Sequence, residues 1–73
     1  MKSDEREIIE NVFASVTPYL TYTDKTRDVI DQISEESSNI EEFKERLNSK
    51  ISEADNPTTE ADYRIFFNKL TSR

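Results

Sequence analysis

Between Ser38 and Ala54, the residues Ile40, Phe43, Leu47, Ile51 and Ala54 recur at steps of three, four, four and three. That spacing lays one apolar stripe along an α-helix and turns Glu41, Glu42, Lys44, Glu45, Arg46 and Lys50 outward. Ser38 with Glu41 three residues on has the form of a capping box. A helix is therefore predicted over about 39–54. Upstream, Ser3 stands as a cap before Asp4, Glu5 and Glu7, and Ile8, Ile9, Val12, Phe13 and Val16 form a second stripe. Pro18 disfavours helical geometry at Thr17, which bounds this first helix at about 4–17.

Tyr19, Leu20 and Tyr22 then alternate with polar residues. No partner strand is visible, so Thr17–Thr23 is expected to fold as an apolar connector onto the core. Thr23 is the expected cap of a helix over about 24–36. Its apolar stripe is thin, being Val29, Ile30 and Ile33, so it is expected to lie across one edge of the core. Asn56-Pro57 marks a turn, and Thr58 or Thr59 is expected to cap a last helix over about 59–71. Tyr63, Phe66, Phe67 and Leu70 give that helix its buried face. The four segments predict an all-α chain, one domain over residues 1–73, folded as a compact bundle or an orthogonal array.

Composition sharpens this picture. The chain has no glycine, which the tight hairpins of β proteins lean on, and no cysteine, so no disulfide or thiolate metal site is available. Histidine is absent as well. The commonest general base, the commonest metal ligand and the strongest nucleophile are thus all missing, and no enzyme, metal or cofactor is expected. Phosphate loops and EF-hands both need glycine. Acidic carrier proteins of fatty-acid synthesis have similar size, charge and helix count, but their Asp-Ser-Leu motif is absent. The corresponding stretch reads Thr23-Asp24-Lys25-Thr26.

Charge singles out one segment. The net charge is −6, from 16 acids against 10 bases. Residues 21–39 carry five acids and two bases, whereas 57–73 carry two acids and three bases. Asp24, Asp28, Asp31 and Glu35, spaced four, three and four, form one acidic stripe on the second helix. Its length is about 16 Å at a rise of about 1.5 Å per residue. Lys25 and Arg27 flank it and compensate only in part. Like charges at i,i+4 cost a few tenths of a kcal/mol each, so the stripe is either a plain solvated face or a docking surface for a basic protein. The expected function is an interaction module of inhibitor, adaptor or regulator type. Such compact acidic chains resemble phage-encoded factors aimed at host machinery, by analogy only.

Two alternatives accompany this reading. The carboxylates can imitate the phosphates of DNA on a nucleic-acid-binding protein. Alternatively, Ile65, expected on a flank beside Tyr63, can anchor a homodimer through the aromatic last helix; monomer and homodimer are both open. Direct nucleic-acid binding by a helix–turn–helix is opposed by the net negative charge. No apolar run approaches the roughly 20 residues of a membrane span, and the charged amino terminus is unlike a secretory signal. A cytoplasmic location is expected.

Overall fold

A computed structural model describes residues 1–72, and it is all-α. Helix α1 spans Ser3–Val16, α2 Thr23–Glu36, α3 Ile40–Glu53 and α4 Pro57–Thr71, with a short 3-10 turn at Thr17–Tyr19. The periodic apolar residues drive this arrangement. Ile9, Val12, Phe13 and Val16 of α1 meet Ile30 and Ile33 of α2, Phe43, Leu47 and Ile51 of α3, and Tyr63, Phe66 and Leu70 of α4 in one core. Phe66 is fully buried and joins two helices through its ring, 6.4 Å from Phe13 and 6.0 Å from Phe43, both tilted as ring quadrupoles prefer.

The helices begin at caps other than the expected ones. At α1, the Lys2 N–H donates to Glu5 Oε1 at 3.2 Å, and Ser3 is already helical. At α3 the cap is Asn39, one residue later than expected. Asn39 Oδ1 accepts the Glu42 N–H at 2.9 Å, and Glu42 Oε1 accepts the Ser38 N–H at 3.2 Å. Asn outranks or equals Ser as a cap, so the shift loses nothing. At α4, Asn56 Oδ1 accepts from Thr58 at 2.8 Å and from Thr59 at 3.4 Å. Pro57 fills the first helical position, where its missing N–H is no loss. The helix thus starts earlier than the expected Thr58 or Thr59 cap allows.

Helix α2 packs against α3 and α4 and contributes Ile30 and Ile33 to the core. It has 14 residues, as do α1 and α3, and Ile30 and Ile33 are buried. Its buried face is completed by Thr26 and Ser34, with Ser37 just beyond, which are small and polar and so escape a hydrophobic count. The Ser37 hydroxyl is satisfied by the Ile33 carbonyl at 2.7 Å.

Candidate interaction surface

Two helix starts are secured by carboxylates from distant helices. Asp62 of α4 is 1% exposed. Its Oδ1 accepts the Thr21 N–H at 3.0 Å and its Oδ2 accepts the Tyr22 N–H at 2.8 Å, with the Thr26 hydroxyl at 3.5 Å. Thr23, the expected cap of α2, is its first helical residue, and Tyr22 at the cap position makes no side-chain cap bond. The buried carboxylate supplies what the local sequence does not. In the same way, Glu5 of α1 reaches the start of α3 and accepts the Ile40 N–H at 2.9 Å. That bond, followed by the one from Lys2, holds the Glu5 carboxyl below its ordinary pKa.

The clamp by Asp62 determines how the connector lies. Thr17–Tyr19 closes its turn through the Leu20 N–H to the Thr17 carbonyl at 3.2 Å, and Leu20 is half-buried against the core. Tyr19 and Tyr22 are the exposed large hydrophobic residues, at 71% and 44%. The expected burial of the whole connector is therefore corrected: of its large apolar side chains Leu20 turns inward and Tyr19 and Tyr22 do not, while the backbone just beyond Leu20 is bonded to Asp62.

Of the acidic stripe, Asp24, Asp28 and Glu35 are exposed, and none of them forms an ion pair among the described residues. Asp31 is half-buried and bonds Arg27 at 3.2 Å. Arg27 also makes two parallel bonds of 2.7 Å to Glu10 of α1 and lies 5.1 Å above the Phe13 ring. The Glu10 bond leads in raising the Arg27 pKa further. Arg27 thus ties α2 to α1, and Asp31 belongs to that tie more than to the free stripe. In the second candidate interface, Tyr63 is 5% exposed and Ile65 is half-buried against the core. Burial, and then the neighbouring Asp62 charge, push the Tyr63 hydroxyl pKa up. Of this pair, Ile65 keeps part of its side chain at the surface, and Tyr63 does not.

Sequence reasoning missed Tyr19, Tyr22 and Asp62. A signal for Asp62 exists: it lies on the stripe Thr59, Asp62, Tyr63, Phe66 and Leu70, so a charged residue stands at a core position. Among the described residues no group of acids is arranged to hold a metal ion, and no helix is long and apolar enough to cross a membrane.

Fold and surface define a small all-α bundle whose second helix carries exposed carboxylates and starts at the exposed Tyr22. By sequence, the chain belongs to the MJ1579 family, whose model matches residues 6–73. No curated protein matches it, and no solved structure does.

Proposed function

We propose that the chain is a small acidic interaction module, of inhibitor, adaptor or regulator type, that docks a basic protein through the exposed face of α2. The observation that supports this is the set Asp24, Asp28 and Glu35, exposed and free of ion pairs among the described residues. Asp4, Glu7, Glu36, Glu45, Glu53 and Asp55 are also exposed and unpaired among the described residues, but α2, with Asp24, Asp28, Glu35 and Glu36, carries more such acids than any other helix. A row of uncompensated carboxylates repels itself along the helix. A basic partner removes that cost, and the field of a chain at −6 steers it inward. Mimicry of a nucleic acid is the narrower form of the same reading, with the carboxylates standing in for phosphates.

The test compares the natural chain with the variant Asp24→Lys/Asp28→Lys as baits in lysate of the native organism. These positions leave the Arg27 tie intact, which a change at Asp31 does not. A partner held by the natural chain, released by salt and absent from the variant is expected, with unchanged helical circular dichroism. An identical captured set from both baits contradicts the reading. Displacement of DNA from the captured partner selects mimicry.

A further inference from the structure

The two exposed tyrosines sit on a backbone that is held with unusual means. A carboxylate is costly to seal from water unless its oxygens are bonded. A local asparagine or serine cap serves a helix start without that cost, as Asn39 and Asn56 do here. At α2 the molecule instead commits the buried Asp62 of another helix to the Thr21 and Tyr22 amides. The outcome is a fixed turn from which Tyr19 and Tyr22 project. Rings on a preformed backbone lose little conformational freedom on binding.

The same turn leads directly into the acidic face. Tyr22 and Asp24 line one shallow hollow of about 400 Å³, and Asp28 follows Asp24 by one helical turn. Lys25 also lines this hollow, but its Nζ is directed to Thr59 Oγ1 at 3.5 Å. An aromatic face beside a carboxylate matches a guanidinium, which stacks on the ring and donates parallel bonds to the acid. The molecule makes this combination internally, where Arg27 lies over Phe13 and forks onto Glu10.

We propose that Tyr19, Tyr22, Asp24 and Asp28 form a docking strip for an arginine-bearing segment of a partner protein, with Asp62 as its positioning residue. This rests on the acidic-face reading and adds to it an aromatic anchor and a preference for arginine over lysine. Lysine satisfies the carboxylates as a point charge, but it lacks the flat, weakly hydrated surface that stacks on a ring.

The strip is tested by titrating the full chain with hexa-arginine and with hexa-lysine, following backbone amide resonances. Saturable shifts over residues 19–28 are expected with both peptides, and the arginine peptide should bind roughly fivefold or more tightly. Tyr19→Ser/Tyr22→Ser should abolish that difference and leave the lysine affinity unchanged. Equal affinities in the natural chain, or an arginine preference that survives the tyrosine substitutions, overturn the strip while leaving the acidic face standing. Absence of shifts in α2 with either peptide overturns both.

Discussion

Asp62 shows how much one residue can decide. In sequence it reads as an acid in the first turns of a helix, favoured there by the dipole. In the structure its partners are 36 to 41 residues away. No local rule names them, although its place on an apolar stripe marks it as unusual. Asp62→Ala strands the Thr21 and Tyr22 amides, and a loss on the order of 3 kcal/mol is expected in urea unfolding. Asp62→Asn, which keeps one acceptor oxygen, should lose less. Equal stability of all three proteins contradicts the clamp. Glu5 acts in the same way at the surface, and its effect depends on pH. Because its folded pKa lies below the ordinary 4.5, its contribution is complete above that pH and is lost as the pH falls through the folded value. Glu5→Gln should flatten that part of the acid limb in urea midpoints measured against pH. An unchanged slope removes the bond to Ile40 from the account.

Among the elements, the helices were legible because apolar residues at steps of three and four leave little else to form. The starts were less legible, since neighbouring cap residues compete within one or two positions. Ser38 and Asn39 are the clearest case: both are good caps, and the side chain that accepts the Glu42 N–H is that of Asn39. Asn39→Ala should cost about 1 kcal/mol in thermal unfolding, and Ser38→Ala only a few tenths. The reverse order would make Ser38 the cap. The buried face of helix α2 was only partly legible, for a different reason. A hydrophobic count sees Val29, Ile30 and Ile33, whereas burial also takes in Thr26 and Ser34, small side chains that fit close to neighbouring helices. The exposed connector tyrosines escaped for the converse reason, since apolar residues near a core are expected to turn inward.

At the scale of the molecule, one core centred on Phe66 uses apolar residues from all four helices, so the surface is left to charge. Part of that charge is internally compensated: Arg27, Lys44, Arg46 and Arg64 each hold at least one acid. Local spacing exposed the acidic stripe on α2, but only the folded chain shows that Asp31 is taken by Arg27 while Asp24 and Asp28 are free. The central claim is that this free face binds a basic protein. It is tested most directly by the dissociation constant of the captured partner for the natural chain and for Asp24→Lys/Asp28→Lys, each at low and at physiological salt. The account predicts a loss of roughly a hundredfold or more in the variant, and a natural complex that weakens as salt rises. Equal affinities for the two chains, indifferent to salt, would contradict it.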